Sequence, residues 1–450
     1  MLDNEKVLEA YVNRIKSSVS ISPEVFDKWN IKRGLRNNDG TGVVAGVTAI
    51  GEVHGYIMDE GVKIPTEGRL RYRGIDIKDL VSGFQKEKRF GFEETAYLLI
   101  FGKLPTAPLL EEFKQILSKY RDLPGNFIED MILRQPSSNV MNKLGRTVLA
   151  LYSIDPAAED FSIGNILKQC IQLIARLPIL SAYGYQAKRH YYDNKSLFIH
   201  NYEPEYSTGE NFLHLIRPDR KFTPLEAELL DLCFVLHAEH GGGNNSAFTA
   251  RVVSSAETDT YAAVSAAIGS LKGRKHGGAN IQVKQMVNEI RENVSDWTNE
   301  TALRDYLVRI IKKEAGDGTG LVYGMGHAIY TLSDPRAVIL KEKARELAEK
   351  SDRMDDFILY ERIEKLTPGV FKEVKGYDNI MSANVDLYSG FVYEMLNIPE
   401  ELYTPLFAVS RVAGWCAHRI EEIFGNQRLI RPAYRSVAKS QPYIPLSERM

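Results

Sequence analysis

LHAEHGGGNNS, residues 236–246, closes one helical pattern and opens a glycine turn beside His237 and His240. Upstream, Thr223-Pro224-Leu225-Glu226 sets a hydroxyl N-cap, a proline at the first helical position and a glutamate at the third. This is a capping box, in which the threonine and glutamate side chains each accept from the other's backbone amide. The spacing predicts a helix from Pro224 toward His237, with His240 at its C-terminal end. Glycine lets the chain turn sharply and approach a ligand, and histidine exchanges protons most readily near neutral pH. The same pairing recurs at His276 in LKGRKHGGAN (271–280) and at His327 in YGMGHAIYTLSDPR (323–336). Three repetitions point to one shared pocket.

Outward from these motifs the chain reads as mainly α. Leu109, Leu110, Phe113, Ile116, Leu117 and Tyr120 recur at helical spacing between Pro108 and Tyr120, and Leu123-Pro124 closes that element. ETAYLLIFG (94–102) ends on Gly102, a C-cap with Pro105 just beyond. β character is confined to residues 43–58, VVAGVTAIGEVHGYIM, which suit one or two short hairpins. Near residue 280, small-residue helices such as TYAAVSAAIGSLKG (260–273) give way to charged ones such as SDPRAVILKEKARELAEKSD (333–352). The former can pack into a large core or a subunit interface, the latter into a thinner, solvated layer. The expected organisation is a large helical domain over 1–278 with an N-terminal arm, a small domain over 279–395, and a return to the large domain with a C-terminal arm over 396–450.

At 450 residues the chain exceeds one compact core. Its net charge of −2, with both signs mixed, gives no case for nucleic acid or membrane lipid as partners. Cys170, Cys233 and Cys416 are too dispersed for a zinc cluster and odd in number for a secreted disulfide framework. The start, MLDNEKVLEAYVNRIKSS, carries acidic residues and a helical period through Leu8, Tyr11 and Ile15, unlike a signal or transit peptide. No apolar run is long enough to span a bilayer. A soluble cytoplasmic protein is expected.

Histidines in globular chains are usually satisfied structural residues, and His54, His190, His200 and His214 take that reading. His276 lies just before a helical pattern that begins near Ile281. The partial positive charge of a helix N-terminus there keeps imidazole neutral and able to donate to a developing oxyanion. His327 occupies a similar glycine turn ahead of Asp334-Pro335, itself an N-cap and first helical position. Arg336 then falls in a first turn, where a cation opposes the helix dipole by roughly 0.3–1 kcal/mol. An anion must offset it, and Asp334 is the nearest. Arg411 interrupts the apolar run LFAVSRVAGWCAH (406–418), so it needs a carboxylate or phosphate partner. Asp386, flanked by Val385, Leu387 and Tyr388, is either a base with a raised pKa or the N-cap of the next helix. His237 and His240 lack the further ligands a metal site needs, and Gly324-Met325-Gly326 lacks the third glycine of a dinucleotide fingerprint.

Together these motifs resemble the citrate synthase family. The resemblance also runs through RLRYRGIDIKDL (69–80), AYLLIFGKLPT (96–106), ANVDLYSG (383–390), SRVAG (410–414) and LIRP (429–432), in the family's order and spacing. It implies a mostly α-helical homodimer of two-domain subunits that close over oxaloacetate and an acyl-CoA, with coenzyme A as substrate and no other cofactor or metal. By the resemblance, Asp386 removes a methyl proton from the thioester, His276 hydrogen-bonds the thioester oxygen, and His327 supplies a proton or hydrogen bond to the ketone of oxaloacetate. His240, Arg336 and Arg411, with Arg431 of the partner subunit, hold the oxaloacetate carboxylates. Guanidinium suits that role because its fork binds a carboxylate through two parallel hydrogen bonds.

The chain departs from the family at Ala328 and Thr331, where many members carry a basic residue facing CoA phosphates; Arg274 and Lys275 are the substitutes expected here. After Arg431-Pro432 it has Ala433 and then Arg435 in place of a second consecutive arginine. The nearest rival activity is that of a 2-methylcitrate synthase on propionyl-CoA, one methylene away, a difference of about 1–3 kcal/mol in a pocket. A citryl-CoA lyase and a non-catalytic CoA- or metabolite-binding oligomer are the remaining readings. The intact set of histidines, arginines and Asp386 opposes the last.

Overall fold

The computed structural model describes residues 8, 9, 11–13, 15, 21–37, 39–376, 380–426 and 428–449. Of the expected N-terminal helix, Leu8, Tyr11 and Ile15 are helical, and the rest of that stretch lies largely outside the described residues.

A small sheet precedes a long series of helices. β1 (Gly51–Asp59) pairs antiparallel with β2 (Val62–Tyr72), and β3 (Ile75–Asp76) adds to β2. Glu60 and Gly61 both have positive φ, 46° and 83°, the mirror-image turn that matches strand twist in a two-residue hairpin. The sequence places short hairpins within 43–58, yet strand pairing starts only at Gly51 and the second strand lies wholly beyond that window. Pro65 and the Glu67-Gly68 step hide the alternation of β2 in sequence. In space, Pro65 sits opposite Tyr56, next to the irregularity at Gly55.

The helices are α1 (Glu24–Lys28), α2 (Ile77–Lys86), α3 (Phe92–Phe101), α4 (Ala107–Tyr120), α5 (Val140–Ala150), α6 (Ile163–Asp193), α7 (Thr208–Ile216), α8 (Pro224–His237), α9 (Asn245–Ser254), α10 (Thr260–Leu271), α11 (Ala279–Asn293), α12 (Glu300–Ile311), α13 (Pro335–Lys350), α14 (Met354–Lys375), α15 (Val385–Met395) and α16 (Tyr403–Glu421). The signals read in the sequence operate as expected. Thr223 and Glu226 form the reciprocal capping box of α8, and Gly102 ends α3 at φ 82°. α4 buries Leu110, Phe113 and Leu117 on one face.

Every residue from Tyr403 to Arg419 of α16 is buried. Around it pack α3, α5, α6, α8, α9 and α10, so α16 is the axis of the core. α11 to α15 pack chiefly on one another, through α13 against α15, α12 against α14 and α11 against α15. They meet the rest through α13, which touches α2, α8 and β2, and through α11, which touches α16.

The hairpin holds the segment that follows His327. A Cβ on Gly68 would stand 2.1 Å from the carbonyl oxygen of Ser333, and one on Gly55 2.6 Å from that of Ile329. The Thr331 hydroxyl donates to the carbonyls of Gly55 and Thr66, and the Gly68 amide donates to the Ser333 hydroxyl at 3.1 Å. The opposing atoms are backbone and cannot swing aside. Gly68→Ala is therefore expected to cost about 1–3 kcal/mol in urea unfolding and to displace the loop carrying His327.

Candidate active site

His240 and His327 meet edge to face with ring centroids 5.1 Å apart, and Tyr330 contacts both rings, 5.5 Å from His240 and 4.7 Å from His327. The backbone amides of Ile329 and Tyr330 donate to Nδ1 of His327 at 3.0 and 3.2 Å. Its proton is thereby confined to Nε2. Burial, reinforced by the Arg336 charge, pushes its pKa down to about 4. His240 is shifted well below the usual range for the same reasons, and its Nε2 has no hydrogen-bond partner.

His276 stands in the turn before α11 and contacts Ser246, the second residue of α9. The Ser246 amide donates to Nε2 at 3.3 Å, with the Ser246 hydroxyl at 3.0 Å. With Nε2 an acceptor, Nδ1 carries the proton. Burial first, then Arg411, lowers the pKa to about 4, so the ring is neutral at pH 7 as the helix-terminus argument required. Trp415 donates to the same hydroxyl at 3.1 Å, tying the arrangement to α16.

Asp386 is the second residue of α15, whose N-cap is Asn384. That overturns the reading of Asp386 as the cap. Its carboxyl is raised to about 6, chiefly by burial, with Arg336 and Arg411 pulling down and the Asp334 carboxylate pushing up. The loop of His327 is sewn to the segment before Asp386. The Gly326 amide donates to the Ser382 carbonyl at 2.8 Å, the Asn384 amide to the Gly324 carbonyl at 2.9 Å, and the Asn384 side-chain amide to the Gly326 carbonyl at 2.9 Å. Gly324 is at φ 82°, and a Cβ there would stand 2.9 Å from Leu387 Cβ. The two glycines of the Gly324-Met325-Gly326 step thus serve this seam.

Arg336 has the partner expected of it. Asp334 caps α13, accepts from Arg336 Nε at 3.0 Å and Nη2 at 2.7 Å, and accepts from the Val385 amide at 3.2 Å. One carboxylate therefore joins the starts of α13 and α15. Arg411 is different. It is fully buried, its Nε donates to the His237 carbonyl at 2.6 Å, and Nη1 and Nη2 have no hydrogen-bond partner among the described residues. Burial lowers its pKa to about 10, opposed by the Glu239 carboxylate. Of the carboxylate or phosphate partner that the sequence calls for, no carboxylate among the described residues is hydrogen-bonded to it. His237, whose Nδ1 faces the Cys233 carbonyl at 2.8 Å, also presents an unpartnered Nε2, and so does the Tyr330 hydroxyl.

The remaining candidates lie further out. Arg274 and Lys275 are exposed beside His276. Arg431 lies on the exposed stretch after α16. His190, His200 and His214 each bond a backbone carbonyl, as structural histidines do. His54, given the same reading, instead lines a cavity of about 820 Å3 together with His240, His327, Asn244, Asn245 and Arg36. Arg36 was not anticipated, and it donates to the Ala328 carbonyl at 3.3 Å. Tyr330 was missed as well, although its position three residues after His327 was a usable signal. Among the described residues no three His, Cys, Asp or Glu side chains stand together to hold a metal ion, and no helix is long and apolar enough to cross a membrane.

The sequence profile described as "Citrate synthase, C-terminal domain" matches residues 39–433. The chain belongs to the citrate synthase family. It is 34% identical over 390 residues to the citrate synthase of Synechocystis, covering 86% of this chain and 89% of that one. It is 32% identical over 382 residues to the 2-methylcitrate synthase of Shewanella oneidensis, covering 84% and 92%. Among solved structures, the citrate synthase of Thermoplasma acidophilum in ternary complex with carboxymethyl coenzyme A and oxaloacetate superposes with a TM-score of 0.73 at 25% identity, covering 90% of this chain and 97% of that one. The mainly helical fold with its small antiparallel sheet is thus the fold of the citrate synthase family.

Proposed function

We propose that this chain is a citrate synthase, condensing acetyl-CoA with oxaloacetate and water to give citrate and CoA. The observation that carries the reading is the buried Arg411 guanidinium with two unpartnered nitrogens, beside the unpartnered Nε2 of His240. An uncompensated cation in a protein interior is costly, and a dicarboxylate satisfies these donors. Arg336 adds a second charge, and Arg431 of the partner subunit a third, in a cytoplasmic homodimer.

Asp386, with a pKa of about 6, takes the methyl proton of the thioester. His276 donates through Nδ1 to the thioester oxygen and stabilises the enol that forms. His327 donates through Nε2 to the ketone oxygen of oxaloacetate, drawing charge away as the new carbon–carbon bond closes. Neither histidine has to lose a charge first, since both are neutral at working pH. Hydrolysis of the citryl thioester then drives the sequence forward. We read α11–α15, over 279–395, as the small domain whose closure excludes water from the enol. Coenzyme A enters as substrate, its phosphates met by Arg274 and Lys275, with Arg36 available on the wall of the cavity that His240 and His327 line.

The test is release of free CoA from acetyl-CoA or propionyl-CoA in the presence of oxaloacetate. A kcat/KM favouring acetyl-CoA is expected; preference for propionyl-CoA would make the enzyme a 2-methylcitrate synthase. Mixing inactive Asp386→Ala with inactive Arg431→Ala and refolding them together should restore about a quarter of wild-type activity, because statistical heterodimers form half the population and each holds one complete site. Mixtures that stay inactive would place Arg431 outside the partner's site.

A further inference from the structure

The mechanism leaves a chain of buried charged groups unused. Glu239 and His418 are fully buried and Arg251 nearly so. Arg251 Nε donates to His418 Nδ1 at 3.0 Å, which puts the imidazole proton on Nε2, and Nε2 faces Glu239 Oε1 at 2.9 Å. Arg251 Nη1 donates to Glu422 at 2.7 Å, and its Nη2 bonds Glu421 and the Thr48 hydroxyl. The Glu421 carboxylate in turn accepts from the Ala49 amide at 2.8 Å. The network thus links the end of α16 and the approach to β1 with the residue immediately before His240.

Two glycines make room for the Glu239 carboxylate. A Cβ on Gly51 would lie 2.7 Å from Oε1. One on Gly414 would lie 2.5 Å from Oε2 and 3.5 Å from Arg411 Cδ, so carboxylate and arginine flank the same point of α16. Oε1 accepts from the Gly241 amide, and Oε2 has no partner. Where Asp334 grips Arg336 directly and occupies its nitrogens, Glu239 lies alongside Arg411 without bonding it. A carboxylate so placed offsets the charge electrostatically and leaves the guanidinium fork unfilled.

We propose that Glu239, oriented by His418 and Arg251, is a positioning residue of the oxaloacetate pocket: it fixes the turn that presents His240 and supplies the counter-charge that lets Arg411 stay buried with both terminal nitrogens free. The inference rests on the proposed assignment of Arg411 and His240 to oxaloacetate. With Arg251 donating to Nδ1, the Nε2–H of His418 is held on Glu239 and fixes where its carboxylate points.

Glu239→Gln keeps the size of the side chain and its ability to accept from His418 and Gly241, and removes only the charge. Calorimetric titration with oxaloacetate should show binding weakened by about tenfold or more, while the KM for acetyl-CoA stays at the wild-type value. Unchanged oxaloacetate binding in folded Glu239→Gln, or equal losses for both substrates, overturns the proposal. If that variant does not fold, two others carry the test. His418→Gln retains a donor to Glu239 and should bind oxaloacetate as wild type does, whereas His418→Leu should bind it more weakly with acetyl-CoA unaffected; equal behaviour of the two overturns the proposal. A wild-type protein that neither binds oxaloacetate nor releases CoA would instead remove the proposed function itself.

Discussion

Asp386→Asn lowers kcat by about 10²–10⁴-fold, the range that a positioned general base contributes, with little change in the KM for oxaloacetate. The amide keeps the shape of the side chain and cannot take a proton. In wild type, kcat/KM should fall as pH drops through about 6, because burial raises the carboxyl to that value and only the ionised form is a base. A limb near pH 4 would mean that the carboxyl is solvated in the working enzyme. The stability consequence has the opposite sign from the usual carboxylate. A folded-state pKa above the unfolded one gives stability that is present below the unfolded value and lost as pH rises through the folded one. Asp386→Asn should therefore melt higher than wild type at pH 7 and together with it near pH 4. Lost turnover with a raised Tm separates removal of the base from damage to the fold.

Arg411→Met is expected to weaken oxaloacetate binding by about 2–5 kcal/mol, the range for removing one member of a buried hydrogen-bonded charge pair. The KM for acetyl-CoA should move far less. The direct readout is thermal stabilisation by ligand: oxaloacetate at about a hundred times its Kd adds about 2.7 kcal/mol to a protein that binds it. Wild type should show that shift in Tm, and Arg411→Met should lose it at the same concentration. A full shift in the variant would mean that the two free Arg411 nitrogens serve something other than the substrate.

The ends of helices were the most legible part of the sequence, because caps are local. Thr223 with Glu226, Gly102 and Asp334-Pro335 all act where the chain alone placed them. The three glycine-flanked histidines were legible for the same reason, since each turn is written in consecutive residues. β2 was not, because its alternation is broken by Pro65 and by Gly68, whose place is taken up by contact with a segment more than two hundred residues away. The partner of Arg336 could be named from its neighbour Asp334, whereas the environment of Arg411 could not. Glu239 approaches Arg411 only because Gly414 and Gly51 leave a slot, and no periodicity encodes that. His418 lies two helical turns beyond Arg411 on the same buried helix and drew no attention, because its partners come from α9 and the His240 turn. Asp386 was ambiguous in sequence because Asn384 and Asp386 are both competent caps, and only the backbone decides between them.

The seam between Gly324–Gly326 and Ser382–Asn384, together with the Asp334 carboxylate that grips both Arg336 and the Val385 amide, has a consequence for engineering the protein. Asp386, His327 and Arg336, the proposed base, ketone donor and anion ligand, travel as a single cassette, so their mutual spacing is insulated from changes elsewhere. Exchanging either loop alone breaks it, and transplantation between relatives should succeed only when residues 324–336 and 382–386 are moved together.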